Sequence, residues 1–125
     1  MQLSSSAKII IADDLIPMLV SLRRILNQLG FSDIHEGISG VEALAALHEN
    51  PDAALVISDW NMQPMDGLEF LEEIRKDRRF DGLPFILISA ETSPRLREQA
   101  LAGGASLVLA KPVDADILRK AIAEI

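Results

Sequence analysis

Short apolar segments rich in β-branched residues alternate along the chain with longer amphipathic segments, and no other feature constrains the fold as strongly. Continuous apolar runs of this length are typical of strands buried on both faces, whereas apolar residues at helical spacing are typical of helices packed on a core. The predicted strands are residues 9–12, 33–36, 55–58, 85–88 and 107–110, of which 33–36 has the weakest signal. The predicted helices are residues 15–29, 40–48, 68–76, 95–101 and 115–125.

Five strands that alternate with five helices predict a single α/β domain over residues 1–125. The chain has 125 residues, 49% of them hydrophobic, which suffices for one core and leaves no room for a second domain. This alternation implies a parallel sheet with helices on both faces, and the right-handed crossovers between parallel strands leave few topologies. We therefore expect a doubly wound (βα)5, flavodoxin-like fold. The expected strand order, 2-1-3-4-5, is taken from known sheets of this class rather than derived from the spacing.

The chain is acidic, with 19 Asp and Glu against 12 Lys and Arg and a net charge of -7. Nucleic acids and anionic membranes select basic surfaces, so we expect binding to neither. The basic run at residues 75–79 is interpreted as a solvated helix end. Cysteine is absent, which excludes disulfides and thiolate chemistry, and His35 and His48 lack the spacing of a zinc site. Since the polar start lacks the apolar stretch of a signal peptide, we expect a cytoplasmic protein, or a cytoplasmic piece of a larger one.

Polar side chains follow four of the predicted strands. In a doubly wound sheet, ligands bind beyond the carboxyl ends of the strands, where the strand order switches, so these side chains should converge. They are Asp13 and Asp14 after the first strand, Asp59 and Asn61 after the third, Ser89 after the fourth and Lys111 after the fifth. Carboxylates, a hydroxyl and an ammonium group at one edge of a sheet predict a functional site.

The three carboxylates of Asp13, Asp14 and Asp59 would repel one another unless a cation lay between them. Lys111 supplies one positive charge, and a divalent metal would supply two more. Mg2+ favours oxygen ligands and keeps several waters, so two carboxylates and a carbonyl are enough to bind it. Such a site can bring a phosphoryl group to one carboxylate and form an aspartyl-phosphate, with the metal and Lys111 neutralising the charge on the transferring oxygens.

Each of these residues also has an ordinary structural interpretation. Asp13 or Asp14 alone would be a helix N-cap, although two adjacent carboxylates exceed what one cap needs. Ser89 alone is better explained as a residue that satisfies main-chain groups in a turn. Lys111 alone would be an ordinary surface lysine, although the position of Lys111 directly after a buried strand argues against that. Residues 66–67 are interpreted as a turn and helix start without chemistry.

Over essentially its whole length the chain resembles response regulator receiver domains, and in particular the chemotaxis-type (CheY-like) single-domain members. The resemblance rests on motifs that are specific when taken together in this order and spacing. They are Asp13-Asp14, Asp59-Trp60-Asn61-Met62, Met65-Asp66-Gly67, Ser89-Ala90-Glu91, Gly104-Ala105 and Lys111-Pro112.

The resemblance implies that Asp59 accepts a phosphoryl group from the phosphohistidine of a histidine kinase or phosphotransfer protein. Phosphorylation then switches binding to a downstream protein target, which the sequence does not identify. Ser89 would hydrogen-bond the phosphoryl oxygens and Lys111 would pair with the phosphate, with a cis bond between Lys111 and Pro112. Such domains are regulatory, and the only reactions that they catalyse are their own phosphotransfer and dephosphorylation.

The resemblance also implies a set of Mg2+ ligands. Asp14 and Asp59 would bind the metal through their side chains and Asn61 through its main-chain carbonyl. Asp13 would hold it through water.

The chain departs from the family at the positions that report phosphorylation. Many receivers carry Tyr or Phe three residues before the lysine, and this ring moves with the Ser or Thr, whereas here the position is Val108. Val113 replaces the frequent Phe after Lys-Pro, and Gln63 separates Met62 from Pro64 in the loop after the acceptor. We therefore expect an intact acceptor site and a switch at Ser89, Val108 and Pro112 that analogy does not describe.

The residues alone leave two other functions open. A constitutive interaction module would keep the fold without using the phosphate, and Val108 gives this some weight. A phosphatase of the haloacid dehalogenase type also uses Asp, Mg2+, Ser or Thr and Lys, but its Asp-x-Asp motif after the first strand is not matched by Asp13-Asp14. A nucleotide- or flavin-binding protein is disfavoured because no glycine-rich loop follows the first strand.

Overall fold

The computed structural model describes residues 3–125, so Met1 and Gln2, part of the polar start considered above, lie outside the described residues. Strands and helices alternate as predicted. The elements in chain order are β1 (Lys8–Ala12), α1 (Ile16–Gln28), β2 (Asp33–Gly37), α2 (Gly40–Glu49), β3 (Leu55–Asp59), α3 (Gly67–Lys76), a short 3-10 helix (Arg78–Phe80), β4 (Phe85–Ser89), α4 (Pro94–Ala102), β5 (Leu107–Ala110) and α5 (Ala115–Glu124).

The five strands form one parallel sheet in the order β2-β1-β3-β4-β5, which confirms the doubly wound fold. Alternate residues of each central strand point to opposite faces, and each face is buried. One face packs against α1 and α5 through side chains such as Ile9, Ile57 and Leu118. The other packs against α2 and α3 through side chains such as Ile10 and Phe70. Within residues 3–125, no helix is both long and apolar enough to cross a bilayer.

Three strands, β2, β3 and β4, extend one residue beyond their predicted ends, and for β3 and β4 this matters for the site. Asp59 is the last residue of β3 and Ser89 is the last residue of β4, so the sheet itself fixes their main chains. After the loop that follows β3, helix α3 starts with a capping box, in which Asp66 accepts the main-chain N–H of Glu69 and the Glu69 carboxylate accepts that of Asp66. The prediction that residues 66–67 form a helix start is confirmed.

The interpretation of the basic run at residues 75–79 as a solvated helix end is wrong for its first residue. Arg75 is half-buried, and its guanidinium donates hydrogen bonds to the main-chain carbonyls of Phe80, Leu83 and Gly104 at 2.7, 2.7 and 2.8 Å. A lysine or arginine at a helix end usually points to water, but here two loops fold over α3 and need a donor for their buried carbonyls. Arg75 is therefore a structural link from α3 to the segment before β4 and to the loop before β5.

Candidate functional site

The carboxyl ends of four neighbouring strands, β1, β3, β4 and β5, bring the predicted polar residues to one edge of the sheet. Ala12 of β1 lies beside Ser58 of β3. Asp13 and Asp59 each follow one of these paired residues and are therefore neighbours. One carboxylate oxygen from each of Asp13, Asp14 and Asp59 can be chosen so that all three lie within 4.8 Å of one another. We call these three residues the acidic triad. Oxygens this close can share one small cation.

The acidic triad is buried to very different degrees. Asp13 is 1% exposed and Asp59 is 4% exposed, whereas Asp14 is exposed to solvent. Burial raises the pKa of Asp59 above its usual 3.8, although Lys111 opposes the shift. Burial likewise raises the pKa of Asp13, and the charge of Asp59 adds to the shift while the N–H of Leu15 opposes it. Burial therefore disfavours the charged forms of Asp13 and Asp59, and Lys111 compensates for this only in part.

Lys111 is the cation that faces the acidic triad. Its Nζ lies 3.0 Å from Oδ1 of Asp59 and 3.7 Å from Oδ2 of Asp13. Burial alone would lower the pKa of Lys111, but the hydrogen bonds and charges of Asp59 and Asp13 together outweigh burial and raise the pKa above 10.5. The side chain therefore stays an ammonium group at neutral pH. The interpretation as an ordinary surface lysine does not hold.

Ser89 is 2% exposed at the end of β4, which is paired with β3. Its hydroxyl oxygen accepts the main-chain N–H of Glu91 at 3.1 Å, which is the ordinary turn role considered above. The next strand contributes Val108, which is 3% exposed and packs in the core on the α2 and α3 side of the sheet. Pro112 is exposed, and the Lys111–Pro112 bond is cis, as the resemblance implied.

The β3–α3 loop, residues 60–66, forms the rim of the site. Asn61 is exposed and Met62 is buried, and with Asp14, Gln63 and Asp66 they line an open depression of about 370 Å³. The extra residue before the proline has not removed Asn61 from this rim, and the Gln63–Pro64 bond is also cis. The two histidines lie elsewhere, with His35 2.7 Å from Asp33 and His48 stacked on Phe80.

Gly67 belongs to the site, although the sequence had indicated only a helix start there. Its N–H donates to the carbonyl of Trp60 at 2.8 Å, and a Cβ on it would lie 2.2 Å from the carbonyl oxygen of Asp59. Only glycine lets α3 begin so close to the end of β3. A glycine directly after the Asp66 N-cap was the available signal, but the spacing alone does not reveal the close approach.

Comparison with known proteins agrees with this geometry. The family described as the response regulator receiver domain matches residues 9–123. Chemotaxis protein CheY1 of Helicobacter pylori is 34% identical over 113 residues, which cover 90% of this chain and 91% of the relative. A CheY homologue of Campylobacter jejuni is 30% identical over 118 residues, covering 94% and 91%.

Solved structures of chemotaxis regulators share the fold. CheY4 of Vibrio cholerae superposes with a TM-score of 0.87 at 30% identity, covering 94% of this chain and 97% of that one. CheY of Borrelia burgdorferi, solved in a complex with CheX, BeF3 and Mg2+, gives a TM-score of 0.85 at 28% identity, covering 94% and 87%. The chain belongs to the response regulator receiver domain family and is a receiver domain of the CheY type.

Proposed function

We propose that Asp59 is the residue on which this receiver domain accepts its phosphoryl group. The observation that carries the proposal is the ammonium of Lys111, 3.0 Å from Oδ1 of Asp59 in a pocket where Asp59 is almost fully buried. A carboxylate oxygen of Asp59 attacks phosphorus, the phosphorus–nitrogen bond of the donor phosphohistidine breaks, and the imidazole nitrogen keeps the electron pair. Lys111 then pairs with the phosphoryl oxygens instead of the free carboxylate.

We propose Mg2+ as the cofactor, held by Asp13, Asp14, Asp59 and the carbonyl of Asn61. The residues fit the ion, because three carboxylate oxygens lie within 4.8 Å and one lysine leaves them under-neutralised. When bound, Mg2+ neutralises charge on the transferring oxygens. Directly after β1, Asp14 would supply a carboxylate ligand and Asp13 would hold the ion through water, while Asn61 would supply its carbonyl from the loop at the rim.

The partners are a histidine kinase or phosphotransfer protein and a downstream protein, and we propose a cytoplasmic location without binding to nucleic acid or membrane. The Borrelia relative, solved with CheX, BeF3 and Mg2+, supports a protein partner for the loaded state. Ser89, on the strand beside β3, would turn its hydroxyl to the phosphoryl group and shift the α4, β5 and α5 face, which includes the buried Val108 and the exposed Pro112.

Incubation of the purified protein with Mg2+ and acetyl phosphate tests the acceptor. We expect intact-mass spectrometry to show the addition of one phosphoryl group. The addition should not form when EDTA replaces Mg2+, and it should be absent in Asp59→Asn. Asp81→Asn, a change of the same chemistry at an exposed aspartate, should keep the addition. A phosphoryl group that persists in Asp59→Asn would show that the acceptor is elsewhere.

A constitutive interaction module remains the second candidate because of Val108. Val108 has no aromatic ring, so the ring that reports phosphorylation in many receivers has no counterpart at this position. The valine side chain is buried in the core. A pull-down of partners from the native source, quantified for the wild type with and without acetyl phosphate and for Asp59→Asn, separates the two functions. Equal capture in all three conditions would favour the constitutive module.

A further inference from the structure

Gly40 lies outside the acidic triad, at the first position of α2, yet it contacts the β3–α3 loop. Its main-chain N–H donates to the carbonyl of Met65 at 3.0 Å. A Cβ on Gly40 would lie 2.6 Å from Cγ of Met65, and 2.9 Å from both its Cβ and its carbonyl oxygen. The φ angle of Gly40 is not positive, so glycine is needed here for space and not for an unusual backbone conformation.

The start of α2 has little freedom to move away from Met65. Ser39 is 5% exposed and caps the helix by accepting the N–H of Glu42, while the Glu42 carboxylate accepts the N–H of Ile38. On the other side, Gly37 already lies so close to α2 that an added Cβ would stand 2.4 Å from the main-chain nitrogen of Ala43. A side chain at Gly40 would therefore displace Met65 and not the helix.

Met65 is one of the points that fix the loop around the proposed metal site. At the base of the loop, the N–H of Trp60 donates to the carbonyl of Ile88, and the Trp60 carbonyl accepts the N–H of Gly67. The hydrogen bond from Gly40 holds the far side at Met65. Asn61 lies between these two points, on the exposed rim, so the position of its carbonyl depends on both.

We propose that Gly40 is a positioning residue for Mg2+ binding. The absence of a side chain at this position lets the Met65 carbonyl reach the start of α2, and this contact sets the part of the loop that carries the Asn61 ligand. The inference deepens the proposed function and rests on it. Groups that orient a metal ligand without touching the metal typically change metal affinity by about tenfold or more.

Gly40→Ala is the direct test, with Gly82→Ala as the matched control. Gly82 lies in an exposed loop, and a Cβ on it would meet nothing within 4 Å. Trp60, the only tryptophan of the sequence, adjoins Asp59 and provides a fluorescence signal for titration with Mg2+ alone, with calorimetry as a second readout. We expect Gly40→Ala to weaken Mg2+ binding by about tenfold and Gly82→Ala to leave it unchanged.

Relief of the contact should restore part of the affinity. Met65→Ala removes the Cγ contact at 2.6 Å, so Gly40→Ala/Met65→Ala should bind Mg2+ more tightly than Gly40→Ala and less tightly than Met65→Ala. If Gly40→Ala does not fold, the comparison of the double variant with Met65→Ala decides the matter. A role limited to stability would lower the melting temperature and leave Mg2+ affinity intact.

The role of Gly40 and the proposed function of the domain can be overturned separately. Wild-type affinity for Mg2+ in folded Gly40→Ala, or equal affinity in Met65→Ala and the double variant, would overturn the role of Gly40 and leave the proposed function standing. A wild-type protein that binds no Mg2+ and gains no phosphoryl group would overturn both.

Discussion

Neutralising Asp59 should stabilise the magnesium-free protein. The carboxylate is 4% exposed, and its charge faces the carboxylates of Asp13 and Asp14. Asp59→Asn keeps the shape of the side chain and an oxygen that can accept a hydrogen bond from Lys111, but it removes the charge. If the acidic triad is built for a cation that is absent, removal of one charge relieves repulsion and lowers the desolvation penalty.

The magnitude follows from the distances. With an effective dielectric constant of about 20, two unit charges 4.8 Å apart, the greatest separation of the chosen oxygens of the acidic triad, repel by about 3.5 kcal/mol, whereas charges 3.0 Å apart attract by about 5.5 kcal/mol. Two repulsions therefore exceed the single attraction of Lys111 by about 1.4 kcal/mol. Water around the exposed Asp14 weakens its repulsion with Asp59, which reduces the stability gained by Asp59→Asn. Removal of the buried charge of Asp59 lowers the desolvation penalty, which increases that gain. We expect a net gain of about 1–2 kcal/mol.

The gain should depend on pH in a definite direction. Because the pKa of Asp59 is raised on folding, the native state binds more protons than the unfolded state between the usual value of 3.8 and the raised value. The wild type therefore loses stability as pH rises through this interval, and the loss is complete above the raised pKa. The advantage of Asp59→Asn should be full above the raised pKa and should vanish as pH falls below 3.8, where both side chains are uncharged.

Urea unfolding followed by far-UV circular dichroism in EDTA measures the effect, with Glu98→Gln as the control. Glu98 is exposed on α4, so its neutralisation should change the unfolding free energy by no more than about 0.5 kcal/mol. Saturating Mg2+ should stabilise the wild type selectively and reduce or reverse the advantage of the variant. A variant that is less stable than wild type in EDTA at neutral pH would refute the reasoning, since Lys111 would then fully compensate the acidic triad.

Two further changes test the packing that supports the site. Arg75→Met removes the donor for three main-chain carbonyls, so we expect a loss of about 2–4 kcal/mol in unfolding free energy. The control Arg24→Met, at an exposed position of α1, should change the unfolding free energy little. Equal stability of the two variants would contradict the structural role of Arg75. Asp66→Ala removes the capping box of α3 and should cost about 1 kcal/mol in thermal or urea unfolding, and an unchanged midpoint would show that tertiary contacts alone fix the start of this helix.

Local chemistry made much of the fold and site predictable. The strands are continuous apolar runs because both faces of the sheet are covered, and such runs are visible without a structure. Once the parallel sheet is predicted, Asp13, Asp59 and Lys111 must lie at one edge, because the carboxyl ends of parallel strands share that edge. The sequence by itself therefore determined the fold class, the family resemblance and the candidate residues.

Contacts between distant segments decided the rest. The sequence does not distinguish the buried Asp13 from the exposed Asp14, because burial depends on how the surrounding loops pack. It gave no sign that Arg75 would bind loop carbonyls, or that Gly40 would meet Met65 across the gap between α2 and the β3–α3 loop. Residue patterns report periodicity along one segment, whereas close approach and desolvation arise only when segments far apart in the chain fill the same space.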